Sequence, residues 1–235
     1  MTASRPIDRL TEFYRSEDQA YETDMNSAAL LVVDVQNGSM LAGYGYGKFY
    51  SAIGMPELNE SRLERTPRLV AKIRTLIEAF RSAERPVAYC TVAYAPGYAD
   101  LHKRWRPRLE LCRQRGIEPP FAVKGSFEAQ VVEGLGRLHD EPLFEKNTAG
   151  AFASTALGAY LRERSIESLF VVGVATNYCV ETTVREAADR DFACFVVEDG
   201  CDAATPERHA LGISSLESVA RITTANDVLG MLERG

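Results

Sequence analysis

The stretch Ala28-Ala-Leu-Leu-Val-Val33 is an unbroken apolar run of strand length, and Asp34 follows it directly. Apolar and polar residues do not alternate along it, so both faces of this strand must be covered, as they are in a parallel sheet. Leu169-Phe-Val-Val-Gly-Val174 reads the same way. Further strands are expected at 86–93, 142–146, 192–198 and 219–223. Helical signals lie between them. In residues 67–84, Leu69, Ile73, Leu76, Ile77 and Phe80 recur at helical spacing, with Pro67 suited to the first turn. Other helices are expected at 126–133, at 154–164 with Ser154 as cap, at 179–190 and at 207–217. Strands alternating with helices predict right-handed crossovers and an α/β fold, a mostly parallel sheet with helices on both faces. Residues 1–25 are polar and charged and read as an N-terminal arm or short helix; residues 26–235 read as one domain.

The bulk numbers agree with a single folded domain. The chain has 235 residues, 46% hydrophobic and 26% charged, with a formal net charge of -6. That acidity argues against nucleic acid and against an anionic membrane surface as partners. No apolar run approaches the roughly 20 residues of a membrane span. The first 24 residues lack the apolar centre of a secretory signal, which predicts a cytoplasmic protein. Five cysteines, Cys90, Cys112, Cys179, Cys194 and Cys201, form an odd, scattered set rather than a disulfide framework.

In an open α/β sheet, ligands bind beyond the carboxyl ends of the strands. Three residues capable of chemistry fall there: Asp34, Lys146 and Cys179. A cysteine thiol has a reference pKa near ~8.5, so a nucleophilic cysteine needs help. The start of a helix and the charge of Lys146 both favour the thiolate. Asp34 could take the thiol proton and return it to a leaving amine. Taken singly, each has a plainer reading: a turn aspartate, a solvated lysine, a small buried hydrophobe.

Three stretches carry a resemblance. Val32-Val-Asp-Val-Gln-Asn37, Glu145-Lys-Asn-Thr-Ala-Gly-Ala-Phe152 and Gly173-Val-Ala-Thr-Asn-Tyr-Cys-Val-Glu-Thr-Thr183 together resemble the isochorismatase-like cysteine hydrolases. The resemblance implies a three-layer, Rossmann-like fold on a six-stranded sheet, with Asp34, Lys146 and Cys179 as a catalytic triad. It also implies a cis peptide at Val174–Ala175 and an oxyanion hole from the N–H groups of Ala175 and Cys179. Relatives that cleave the enol ether of isochorismate typically lack the cysteine, so amide hydrolysis is expected. Nicotinamidases carry a metal-binding Asp-x-His, and His102, His139 and His209 form no such pattern. No metal and no cofactor are therefore expected, and a nicotinamidase is the weaker reading. The Thr176–Thr183 stretch is closer to hydrolases of ureido compounds and small linear amides. A homodimer or homotetramer is implied as well.

Two segments are candidates for the pocket. Residues 38–55 carry Tyr44, Tyr46, Phe49 and Tyr50 and read equally as a lid or a subunit contact. Residues 94–106 bring Arg104 and Arg106, either of which could hold a substrate carboxylate, and Trp105. Gln36, Phe152, Asn177 and Tyr178 are further candidates for contact with substrate. Two rival classes remain: a thiol-dependent redox or transfer enzyme, though no Cys-x-x-Cys is present, and an idle relative that only binds.

Overall fold

The computed structural model describes residues 6–19 and 23–234. The strands are β1 (Ala28–Val33), β2 (Val87–Val92), β3 (Leu143–Lys146), β4 (Ser168–Val174), β5 (Ala193–Asp202) and β6 (Arg221–Thr223). The helices are α1 (Pro6–Gln19), α2 (Asn37–Met40), α3 (Gly45–Ala52), α4 (Pro56–Ser82), α5 (Arg106–Arg115), α6 (Leu157–Glu163), α7 (Glu181–Ala188), α8 (Pro206–Leu216) and α9 (Ala225–Arg234). The six strands form one sheet in the order β3-β2-β1-β4-β5-β6, and every pairing is parallel. The strand order reverses beside β1, so a crevice opens past the ends of β1 and β4.

The uniform apolar character of β1 now has its cause. All six of its residues are buried. Ala28, Leu30 and Val32 face a layer that includes Leu69, Ile73, Leu76, Ile77 and Phe80 of α4 and Val228 of α9. Ala29, Leu31 and Val33 face Leu157 and Leu161 of α6, Val184 of α7 and Leu216 of α8. Each of the larger side chains, valine, leucine, isoleucine and phenylalanine, contributes roughly 1.5–3 kcal/mol on full burial. Phe170 ties the first layer together, stacked on Phe195 at 4.5 Å and edge-on to Phe80 at 5.6 Å.

Some boundaries differ from the sequence reading, each for a local reason. Pro67 does not start α4; it lies inside it, and Pro56 occupies the first turn. The first part of α4 is polar and was invisible to apolar periodicity. It is anchored instead through Arg65, which donates to Ser61 and to Asp202. Residues 126–133 make 3-10 turns at Phe127–Ala129 and Glu133–Leu135 rather than an α-helix. Their backbone is claimed elsewhere: Asn37 N donates to Gln130 O, and Val132 N to Val35 O. Ser154 does not cap α6, since its hydroxyl meets Asn147 N and the Thr148 hydroxyl. The N-terminal arm is helical over Pro6–Gln19, and the Thr11 hydroxyl donates to Glu217 at the end of α8. Residues 1–5 and 20–22 of that arm lie outside the described residues. Within the described residues no helix is long and apolar enough to cross a membrane.

One glycine fixes how β4 leaves the sheet. Gly173 has φ 122°, and a Cβ there would sit 2.0 Å from Val33 O. A register shift between Val171 and Gly173 accompanies it. Replacing Gly173 with alanine is expected to destabilise the protein by about 3 kcal/mol. A urea midpoint unchanged in the Gly173→Ala variant would contradict this account of the bulge.

Candidate functional site

The sheet brings Asp34, Lys146 and Cys179 to one edge. Val33, the last residue of β1, pairs with Gly173 of β4. Lys146, the last of β3, pairs with Val92 of β2. Asp34 continues the ladder by one bond, Asp34 N donating to Cys90 O at 2.9 Å. Its φ is 52°, in the left-handed region that aspartate tolerates better than most residues. The side chain is thereby turned out of the strand register.

Asp34 and Lys146 form a buried ion pair. Lys146 Nζ donates to Asp34 Oδ2 at 2.8 Å and to Thr148 O at 3.2 Å. Lys146 is fully buried and Asp34 is 3% exposed. Burial alone would lower the lysine pKa, but the charge and hydrogen bond of Asp34, together with Cys179 and Cys90, outweigh it and the net direction is up. Lys146 therefore stays cationic. The other carboxylate oxygen, Asp34 Oδ1, is buried and has no hydrogen-bond partner.

Cys179 does not open an α-helix as the sequence suggested. It lies in a π-helical turn, Thr176–Val180, and α7 begins after it at Glu181. The Val174–Ala175 peptide bond is cis. Ala175 O accepts from Tyr178 N and Val180 N, whereas the Ala175 N–H takes no partner among the described residues. Helix α8 supports this turn closely. The Thr176 hydroxyl and His209 Nδ1 are 2.8 Å apart. A Cβ on Gly212 would meet Asn177 N at 2.8 Å. His209, which sequence reasoning gave no role, is thus a brace under the turn, and burial lowers its pKa.

The electrostatics revise one expectation. Burial pushes the Cys179 thiol well up, the negative charge of Asp34 adds to this, and Lys146 opposes it without prevailing. The resting site therefore holds a neutral thiol beside a carboxylate–ammonium pair, not a preformed thiolate. The expected helix start is absent at Cys179, and the charge of Lys146, which does favour the thiolate, is outweighed by desolvation plus Asp34. Alkylation of Cys179 by iodoacetamide is expected to be slow at pH 7 and to accelerate into the alkaline range. In Asp34→Asn the carboxylate charge is gone and Lys146 is left for the thiolate. Labelling at pH 7 is then expected to rise by about tenfold or more, read by intact mass. Slower labelling in that variant would contradict the assigned charge balance.

Beyond the carboxyl ends of the strands lies a cavity of about 520 Å³ bordered by Asp34, Ala175 and Cys179. Residues 38–55 fold into α2 and α3 and wall it with Met40, Tyr46 and Tyr50. An ion pair between Lys48 and Glu118 ties α3 to the segment after α5. Asn177, Tyr178, Arg104 and Trp105 also line the cavity. Trp105 is edge-on to Tyr178 at 6.0 Å, and the Arg104 guanidinium sits 5.1 Å from the Trp105 ring centroid and 5.5 Å from that of Tyr178.

Three other candidates lie elsewhere. Gln36 is consumed by the fold: its amide donates to Val92 O and Glu128 O and accepts from Val92 N. Phe152 packs on Phe192 at 5.8 Å in the core below α6 and α7 and does not border the cavity. Arg106 turns away, with Nε donating to Leu101 O at 3.4 Å. Sequence reasoning missed Arg62, Arg108 and Arg208, all of which line the cavity. For Arg108 a signal existed: it stands four residues from Arg104, the spacing that puts two side chains on one helical face. Its guanidinium lies 4.6 Å from the Trp105 centroid. Among the described residues no three His, Cys, Asp or Glu side chains form a metal-binding group.

Comparison with known proteins gives the family. The isochorismatase domain model matches residues 28–227. The chain is 27% identical over 214 residues to the uncharacterized isochorismatase family protein YecD of Escherichia coli O157:H7, covering 90% of this chain and 99% of that one. It is 25% identical to the ureidoacrylate amidohydrolase RutB of Acinetobacter baylyi, covering 87% of this chain and 82% of that protein. Among solved structures, a cysteine hydrolase from Pseudomonas syringae pv. phaseolicola superposes with a TM-score of 0.73 at 21% identity, over 91% of this chain and 96% of that one. The matched region runs from β1 into α9 and contains the whole strand-end site, so the chain belongs to the isochorismatase family of hydrolases.

Proposed function

We propose that this protein is a cysteine-dependent amidohydrolase that cleaves a C–N bond of a small linear amide or ureido compound. One observation carries the reading: Asp34 is locked by Lys146 through Oδ2 while Oδ1 is left without a partner, in a cavity that also borders Cys179. A carboxylate fixed in place by a buried ammonium, with one oxygen open, is suited to take a thiol proton. The naming of a relative as a ureidoacrylate amidohydrolase supports the same chemistry.

The steps follow from the side chains. Asp34 Oδ1 accepts the proton from Cys179 Sγ as sulfur bonds to the substrate carbonyl carbon. This transfer during attack suits a resting thiol that is neutral. The developing oxyanion is met by the N–H of Ala175, which has no backbone partner among the described residues, and by that of Cys179. Asp34 then hands its proton to the leaving nitrogen, the C–N bond breaks, and ammonia or an amine departs. A thioester remains on Cys179. Asp34, again a carboxylate, accepts a proton from water as it attacks the thioester, and returns that proton to sulfur when the acid leaves. No external oxidant or reductant enters the balance.

The test is release of ammonia from a panel of biuret, ureidoacrylate-like compounds, N-carbamoyl amino acids, maleamate and nicotinamide. Turnover of a linear member above all others supports the reading. Hydrolysis of an enol ether with no amide turned over would overturn it.

A further inference from the structure

The arginines of the cavity differ sharply in their surroundings. Arg62, Arg104, Arg108 and Arg208 all line it. Its lining carboxylates, Asp34 and Asp202, are each engaged by a cation: Lys146 on Asp34, and Arg65 Nε donating to both oxygens of Asp202 at 3.0 and 3.1 Å. Among the described residues none of the four arginines forms an ion pair. For Arg104 and Arg208 this is ordinary, because both are exposed to water. Arg62 is different. It is only 7% exposed, its Nη2 donates to Asn59 Oδ1 at 2.8 Å, and its Nε and Nη1 are buried with no partner at all. A guanidinium keeps its charge in proteins, although burial lowers the Arg62 pKa. A buried cation without a counterion is among the more destabilising arrangements a fold can hold.

We infer that Arg62 is the binding group for a carboxylate carried by the substrate, so that the enzyme acts on a short amide or ureide bearing a free acid at its far end. This deepens the amidohydrolase reading and rests on it for the identity of the reacting bond. The cavity that borders Cys179 also borders Arg62. Its volume, about 520 Å³, holds a small molecule with an amide at one end and an acid at the other. Turning the guanidinium toward the cavity exchanges two unmet donors for a charge-assisted contact. A single negative charge matches a single buried cation, which favours a carboxylate over a phosphate dianion. The exposed Arg104 and half-buried Arg108, beside Trp105, add a positive rim that draws an anion inward.

Binding can be read separately from catalysis in full-length Cys179→Ala, which cannot turn substrate over. Calorimetry compares acid and neutral partners: succinamate with succinamide, and N-carbamoyl-β-alanine with its amide. The acid of at least one pair is expected to bind about tenfold tighter or more. Adding Arg62→Met is expected to bring that ratio within about twofold. Arg62→Lys keeps the charge and serves if the methionine variant does not fold; it is expected to cut the preference at least about threefold. Equal binding of acid and neutral partners in both pairs, or a preference untouched by the Arg62 variant, would overturn the inference. The same pairs offered to the wild-type enzyme test the reaction itself. Acid-selective binding without release of ammonia would count against the amidohydrolase reading and leave the carboxylate site standing.

Discussion

Cys179→Ala is expected to lose at least about 10⁴-fold in kcat while keeping the melting temperature of the wild type within a few degrees. The expected loss is large because, in the proposed mechanism, the thiol forms the bond to substrate, and no other cysteine lines the cavity. Cys90, Cys194 and Cys201 are buried in the core. Burial pushes each of their thiols up to about 12. They cannot substitute. The fold is expected to tolerate the change because alanine removes a single buried atom and leaves the backbone of the π turn as it is. The turn is held by the backbone bonds to Ala175 O and by Thr176 on His209. Initial rates and a thermal melt on the same preparation check both halves.

Lys146→Met is expected to fail on two counts. Removing one partner of a buried ion pair leaves Asp34 as an uncompensated charge, which costs about 3–5 kcal/mol. Asp34 would also lose the contact that, in the proposed mechanism, holds its carboxylate in place to accept the proton of Cys179. Activity is expected to fall by about 10³-fold or more at neutral pH. A denaturant series and initial rates at neutral pH read the two effects. A variant as stable and as active as the wild type would remove Lys146 from the account.

The fold was legible because β1 is apolar on both faces, and only a sheet covered on both sides explains that. The alternation of strands and helices did the rest, and it put Asp34, Lys146 and Cys179 at one edge before any contact was known. Three things were hidden. The first part of α4 is held by polar contacts of Arg65, so it leaves no apolar stripe. The helix expected at 126–133 gave way because residues 35–37 take its backbone groups, a long-range competition that local propensity cannot reveal. The charge state of Cys179 depends on how dry the site is, and desolvation is a property of the packed molecule rather than of the sequence. Gln36 and Phe152 stood next to motif residues, yet one is spent on Val92 and Glu128 and the other on Phe192. Adjacency in sequence did not make them neighbours of the cavity. Arg62 carried no motif; its burial without a counterion makes it notable.

The central claim is that Cys179 Sγ becomes covalently bound to the acyl group during turnover. Acid-quenched reactions with an amide that the enzyme hydrolyses, followed by peptide mass spectrometry, test it most directly. The account predicts an adduct of the acyl mass on the peptide containing Cys179, removed by hydroxylamine and absent in Cys179→Ala. Steady turnover by Cys179→Ala at a rate comparable to wild type, with no adduct on that peptide in either protein, would contradict it.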